Sequence, residues 1–297
     1  MTTDALSLRG IIPPLVTPFT ADEELNEAAV EQEVRYMIEQ AGVHGVVVGG
    51  STGEGHTLTT DELRRLVGAA TDAAAGRVPV IAGLIVDSTR QAVERVQALS
   101  DLPVTALQVT PVHYLFRPSD ETMQRHFATI VQATQIPLMI YNVVPWSYCS
   151  PALLTKIITE VDGVIGVKQS AGDMKLLADL LLMLGDRGLV FTAVDALLYP
   201  SFMLKAHGAI AALPAAAPTL CIQLWDACQR GDHDVALALH NKLLRIWNAI
   251  DANNLPANVK TAMALQGRVE SFPRAPMPIT SPEQKEAIRL ALQAAGL

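Results

Sequence analysis

The sequence predicts a closed (β/α)8 barrel of the TIM type followed by additional C-terminal helices, and three observations carry this reading. Eight short runs rich in Val, Ile and Leu recur along the first 213 residues, each about as long as a strand buried on both faces. Stretches with helical spacing lie between them, so strand and helix alternate. Successive strands begin roughly 20 to 35 residues apart, the size of a βαβ unit. Eight such units without a polar break describe a closed parallel barrel better than an open doubly wound sheet, which is the alternative.

In order, GIIPPLVTPF (10–19) supplies the first strand, and NEAAVEQEVRYMIEQAG (26–42) the helix after it, ending at Gly42. HGVVVGG (44–50) runs through a glycine-rich loop into TTDELRRLVGAATDAAAG (59–76), capped by Thr60 or Asp61 and ended by Gly76. VPVIAGLIV (78–86) precedes the helix DSTRQAVERVQALS (87–100), and VTALQVTP (104–111) precedes SDETMQRHFATIVQAT (119–134), whose cap is Ser119. IPLMIYN (136–142) is followed by SPALLTKIITEV (150–161), and DGVIGVKQS (162–170) by GDMKLLADLLLMLGD (172–186), which stops at Gly185. GLVFTAV (188–194), the helix DALLYPSFMLK (195–205) and HGAIAAL (207–213) complete the set. Thereafter the pattern is helical only, at roughly 218–230, 232–251, 256–267 and 282–295, with the Pro-rich FPRAPMPITSP (272–282) as a non-helical connector. The expected organisation is a barrel over 1–215 and a helical extension over 216–297, packed on the barrel exterior or serving an oligomer interface.

Composition narrows the function classes. Half of the 297 residues are hydrophobic, enough for one large core, and 22 basic against 30 acidic side chains give a net charge of −8. No Lys/Arg run could follow a phosphate backbone, so nucleic acid is not an expected partner. The opening MTTDALSLRG lacks a basic segment followed by a long apolar one, and stretches such as LLADLLLML are far shorter than the roughly 20 residues that span a bilayer. A cytoplasmic protein without membrane contact is expected. Cys149, Cys221 and Cys228 have no CxxC spacing, and the seven histidines contain no HExxH pair. The spacing thus supports no metal site, although ligands distant in sequence can still converge on one.

In a barrel of this kind, chemistry sits where strands end and the next loops begin. Lys168 closes the strand GVIGVK; an amine held there among apolar walls can attack a ketone, although a snorkelling or ion-paired lysine also fits the position. Tyr141 closes IPLMIY, 27 positions earlier. That is one repeat, so both belong at the same end of adjacent strands spaced roughly 4.8 Å apart. A phenol beside an imine-forming amine can relay protons, and the competing reading is a packing aromatic. The loop GGSTGEG, Gly49 to Gly55, offers the amides of Ser51 to Gly53 and two hydroxyls to a small carboxylate, or is only a tight βα turn. It lacks the lysine of a P-loop and the spacing of a dinucleotide turn. TPVHYLFRPSD (110–120) is an aromatic and basic loop that lines a pocket or meets another subunit.

GGSTGEG, YNVVP and GVKQSAGD, in this order and spacing, resemble the dihydrodipicolinate synthase and N-acetylneuraminate lyase superfamily of Schiff-base-forming, pyruvate-dependent class I aldolases. The likeness extends to the opening GIIPPLVTPF and the late NLPANVKTAM. The resemblance implies a (β/α)8 barrel with C-terminal helices, a homotetramer, and no cofactor. By the same resemblance Lys168 forms the Schiff base, and Tyr141 is the proton-transfer phenol. Ser51 and Thr52 hold the carboxylate, with Thr52 also hydrogen-bonding Tyr141, and Tyr114 is lent across a dimer interface. Gly53, Ser170, Trp146, Ala193 and Ile210 are the further expected substrate contacts.

Departures from the family pattern bear on the substrate. The synthase branch carries an Arg after the tyrosine, where YNVVPWSYCSP has Trp146, Ser147 and Tyr148, which speaks against lysine-biosynthetic activity. The sialate-lyase branch resembles this chain at Ser170, but it carries Gly, an Asp-Glu pair and Ser where this chain has Ala193, Asp195-Ala196 and Ala212, which speaks against sialic acid. The distal pocket is therefore expected to be more apolar and the second substrate to carry fewer polar groups. The expected function is a lyase that joins or splits pyruvate, or a related 2-oxo acid, and an aldehyde. The alternatives are a dehydratase of a 2-oxo-3-deoxy acid using the same imine, a non-catalytic carboxylate-binding barrel, and a phosphate- or nucleotide-binding α/β protein.

Overall fold

The computed structural model describes residues 7–112 and 115–297. Eight parallel strands alternate with helices: β1 (Gly10–Ile11), α1 (Glu27–Tyr36), β2 (Val46–Val48), α2 (Thr60–Ala74), β3 (Val80–Leu84), α3 (Thr89–Ala98), β4 (Ala106–Val109) and α4 (Asp120–Gln132). They continue as β5 (Leu138–Asn142), α5 (Pro151–Glu160), β6 (Val164–Gln169), α6 (Met174–Leu184), β7 (Leu189–Thr192), α7 (Leu198–Met203) and β8 (Gly208–Ala209). The sheet runs β1-β8-β7-β6-β5-β4-β3-β2. It closes because the chain beyond β1 meets β2: Pro14 bridges Val47 in parallel, Val47 N–H donates to the Pro13 carbonyl at 2.9 Å, and Leu15 N–H donates to the Val47 carbonyl at 2.8 Å. Pro13 and Pro14 have no N–H to give, which is why the first strand is regular for only two residues.

The predicted (β/α)8 architecture is therefore present, with small shifts at the helix ends. The second helix is capped by Thr59, whose side chain accepts from Glu62 N–H while Glu62 reaches back to the Thr59 N–H, a reciprocal capping box. Thr60 and Asp61, taken from sequence as caps, are its first two helical residues. The first helix reaches Gly42 through a π-helical turn, Met37–Ala41, with Gly42 left-handed at φ 73°.

Side chains sort into three packed regions. Leu8, Ile12, Val47, Ile81, Ala106, Met139, Ile165, Leu189, Phe191 and Ile210 fill the barrel interior. A larger layer joins the outward strand faces to α1–α6. A third joins β1 and α7 to α8 (Leu213–Ala216), α9 (Pro218–Arg230), α10 (His233–Ile250), α11 (Leu255–Leu265) and α12 (Pro282–Ala295). α9 packs on β1 and α7, α10 packs on α9 and α12, and the short turn Asp195–Leu197 after β7 meets α10. No helix among the described residues is long and apolar enough to cross a membrane, and no group of three or more His, Cys, Asp or Glu there could hold a metal ion.

Candidate active site

Strand periodicity decides what faces the barrel mouth. Met139 and Tyr141 on β5 fall on the same face at alternate positions, as do Gly166 and Lys168 on β6, and the ladder pairs Tyr141 directly with Lys168. Gly166 leaves the room that this register needs, since a Cβ there would lie 2.2 Å from the Leu189 carbonyl oxygen of β7. Lys168 is 3% exposed, and its Nζ stands 3.8 Å from the centre of the Tyr141 ring. The phenol donates a 3.1 Å hydrogen bond to Ser51 Oγ. In this structure the phenol's hydrogen bond goes to Ser51, not to Thr52 as the family resemblance implies.

The loop carrying Ser51 and Thr52 is held from beneath. Thr17 Oγ1 donates to the Gly53 carbonyl at 2.5 Å, and Glu54, left-handed at φ 53° and fully buried, takes Lys260 Nζ of α11 at 2.5 Å and Arg274 N–H at 2.8 Å. Gly55 packs so closely that a Cβ would lie 1.9 Å from the Gly49 carbonyl oxygen. The segments after β5 and β6 are tied to each other as well. Asn142 Nδ2 donates to Gln169 Oε1 at 3.0 Å and to the Cys149 carbonyl at 3.1 Å, and Cys149 N–H returns a bond to Asn142 Oδ1 at 2.9 Å. These ties fix the strand ends that carry Tyr141 and Lys168.

A cavity of about 390 Å³ opens over Lys168. Ser51, Thr52, Tyr141, Ser170, Ala193 and Ile210, all singled out from sequence, line it together with Lys168. Ser170 Oγ is buried and makes no hydrogen bond among the described residues. Two other candidates fall elsewhere. Gly53 is absent from the lining; it is a turn position whose Cβ would meet the Leu15 carbonyl at 2.8 Å. Trp146 is 62% exposed and lines a neighbouring open hollow of about 370 Å³, which shares Ser51 and Val143 with the main cavity. It follows β5 in a 3-10 turn, Pro145–Ser147, and is absent from the lining of the cavity over Lys168. Tyr114 lies outside the described residues.

Sequence reasoning did not single out Asp195, Trp247, Leu255 or Pro256 as site residues, yet all four line the cavity. Asp195 was findable, since it follows β7 at the functional end of the barrel. Its carboxylate accepts the Leu213 N–H at 2.5 Å, tying the end of β7 to the start of α8. Burial pushes its pKa up to about 7, against the opposing pull of that hydrogen bond and of the Lys168 charge. Trp247, Leu255 and Pro256 come from α10 and α11, and nothing local in those helices marks them as site residues. The extension assigned to the barrel exterior thus also forms one wall of the cavity.

A buried amine against a phenol, with hydroxyls beside them, is suited to imine chemistry on a small oxo acid. The sequence profile of the dihydrodipicolinate synthetase family matches residues 7–295. The chain is 34% identical over 293 residues to a 4-hydroxy-tetrahydrodipicolinate synthase of Methanopyrus kandleri, covering 98% of this chain and 97% of that one. It is 36% identical over 292 residues to the enzyme of the same name from Bradyrhizobium diazoefficiens, covering 97% of each. The crystal structure of YagE, a prophage protein of the dihydrodipicolinic acid synthase family from E. coli K12 in complex with pyruvate, superposes with a TM-score of 0.92 at 27% identity, covering 98% of this chain and 99% of that one. End-to-end similarity of this kind, on a barrel with these strand-end residues, makes the chain a lyase that belongs to the dihydrodipicolinate synthetase family.

Proposed function

We propose that this lyase forms a Schiff base between Lys168 and pyruvate, or a related 2-oxo acid, and makes or breaks a carbon–carbon bond to an aldehyde, as neither a lysine-biosynthetic synthase nor a sialate lyase. The observation that carries the reading is the pairing of Lys168 and Tyr141 at the same register of β6 and β5, with Nζ 3.8 Å from the ring centre. Lys168 Nζ attacks the ketone carbon, and the carbinolamine loses water to give the imine. Loss of a C3 proton gives the enamine, whose C3 adds to the aldehyde carbon; the aldehyde oxygen takes up a proton, and water then releases the product and the free amine. Tyr141 is the proton carrier for the carbinolamine and C3 steps, since its oxygen is bonded to Ser51 and its ring lies against the amine. Ser51 and Thr52 take the carboxylate.

Two features speak against the named alternatives. The segment after Tyr141 has no arginine, and no arginine is among the described residues that line the cavity; Ala193, Ala196 and Ala212 stand where hydroxyl-binding groups would serve a sugar acid. The test is intact-protein mass after incubation with pyruvate and a borohydride. One reduced pyruvate on wild type, mapping to Lys168 and missing in Lys168→Ala, supports the reading, and absence of an adduct with pyruvate and with larger 2-oxo acids alike refutes it. We also propose a homotetramer, for which the exposed Leu115, Phe116 and Leu182 are apolar surface to be covered; a monomeric mass by light scattering would refute it.

A further inference from the structure

The cavity over Lys168 is unevenly furnished. One part of its lining is Ser51, Thr52, Tyr141 and Lys168, enough to hold a carboxylate and a ketone. Much of the rest is apolar and comes from Ala193, Val194, Ala212, Trp247, Leu255 and Pro256. Ser170 Oγ, the Asp195 carboxyl and the indole N–H of Trp247 are the polar groups there, and Lys168 and Asp195 are the only charged groups among all the described lining residues. Asp195 is already tied to Leu213 N–H.

An acceptor with a second carboxylate would meet no cation beyond the amine already committed to the imine, and it would face the Asp195 carboxyl. A charge buried without a partner is costly. A polyhydroxylated acceptor would lose water from several hydroxyls and regain only a few bonds, at Ser170, Asp195 and the Trp247 N–H, leaving the rest unpaired. A neutral acceptor with an aromatic or branched aliphatic body loses little on leaving water and gains contact with the indole of Trp247 and the side chains of Leu255 and Pro256. The volume, about 390 Å³ for both fragments together, is near the lower end of the roughly 300–1,000 Å³ usual for ligand pockets, which favours a small acceptor.

We propose that the acceptor is a small neutral aldehyde with an aromatic or branched aliphatic body, selected by a wall that α10 and α11 place over the barrel mouth, with Trp247 as the residue that sets the preference. The inference rests on the Lys168 imine reading and goes beyond it, from the type of reaction to the class of the second substrate.

The experiment pairs borohydride trapping with an aldehyde panel at saturating pyruvate: benzaldehyde and isobutyraldehyde as neutral apolar acceptors, glyoxylate and succinic semialdehyde as anionic ones, and glyceraldehyde and N-acetylmannosamine as polyhydroxylated ones. Expected are a trapped adduct at Lys168 and kcat/KM values for the best neutral apolar aldehyde at least about tenfold above those of the other two classes. The second readout is the ratio of kcat/KM for benzaldehyde to that for glyoxylate, in which the fraction of folded enzyme cancels. That ratio is expected to fall at least about tenfold in Trp247→Ala, to fall further in Trp247→Arg, and to be largely kept in Trp247→Phe. An adduct at Lys168 together with a preference for the anionic or polyhydroxylated class overturns the inference and leaves the imine reading standing. A wild-type preference for apolar aldehydes with an unchanged ratio in all three variants overturns the assignment to Trp247. No adduct with pyruvate or with larger 2-oxo acids overturns the imine reading, and the inference with it.

Discussion

Replacing Lys260 of α11 by Met removes the buried cation that anchors the Ser51–Thr52 loop through Glu54. Lys260 and Glu54 form a pair with side chains 1% and 0% exposed and Nζ 2.5 Å from Oε1. Nζ also donates to the Phe272 carbonyl at 2.6 Å and stands 4.8 Å from the Phe19 ring centre, while Glu54 Oε2 accepts the Arg274 N–H at 2.8 Å. Burial pushes the Lys260 pKa down, and the Glu54 charge opposes that shift. Methionine keeps most of the length of the side chain and removes the charge, so Glu54 is left buried with the Arg274 N–H as its remaining partner. Breaking a buried pair in this way costs about 3–5 kcal/mol. At roughly 2 °C per kcal/mol for a chain of this size, the melting temperature should fall by about 6–10 °C. Urea denaturation of wild type, Lys260→Met, Glu54→Gln and the double variant forms a cycle, and the double variant should recover more than half of the single Lys260→Met loss. A Lys260→Met protein within about 1 kcal/mol of wild type, where a buried charge has lost its partner, or single losses that simply add in the double variant, would refute the reasoning.

The remaining predictions concern pH and loop packing. Asp195 has a folded-state pKa of about 7 against about 3.9 in an unfolded chain. Between those values the unfolded chain gives up a proton that the folded one keeps, so this group's contribution to stability falls as pH rises, by on the order of 4 kcal/mol. Asp195→Asn should therefore gain relative to wild type as pH rises from about 4 to about 7, and a pH-independent difference in urea midpoint would count against this. His126 tilts the other way: burial lowers its pKa to about 4, against about 6.5 unfolded. Its contribution is lost as pH falls through that window, by on the order of 3 kcal/mol, so His126→Gln should flatten the acid side of the urea-midpoint profile, and a profile parallel to wild type would contradict it. Gly55→Ala, whose Cβ would lie 1.9 Å from the Gly49 carbonyl oxygen, should cost about 1–3 kcal/mol and weaken pyruvate trapping; a variant with wild-type stability and trapping would show that the loop can yield.

What was legible in the amino-acid order was the repeat. Strand runs and helical spacing follow from local burial and periodicity, and they were enough for eight βα units, the four late helices and the placing of Lys168 and Tyr141 at neighbouring strand ends. Helix caps were legible to within a residue or so, because capping is a local hydrogen-bond pattern: Ser119 caps α4, while Thr59 caps α2 in place of Thr60 or Asp61. Which residues share the cavity was settled by packing. Trp146 follows Tyr141 closely in sequence yet turns out to solvent, whereas Trp247, more than a hundred positions away, comes over the barrel mouth. The bond from Tyr141 to Ser51 and the pair between Glu54 and Lys260 likewise join residues 90 and 206 positions apart. Periodicity reports which face of an element is buried, but which distant element covers that face depends on helix packing and chain closure, and no local pattern encodes it.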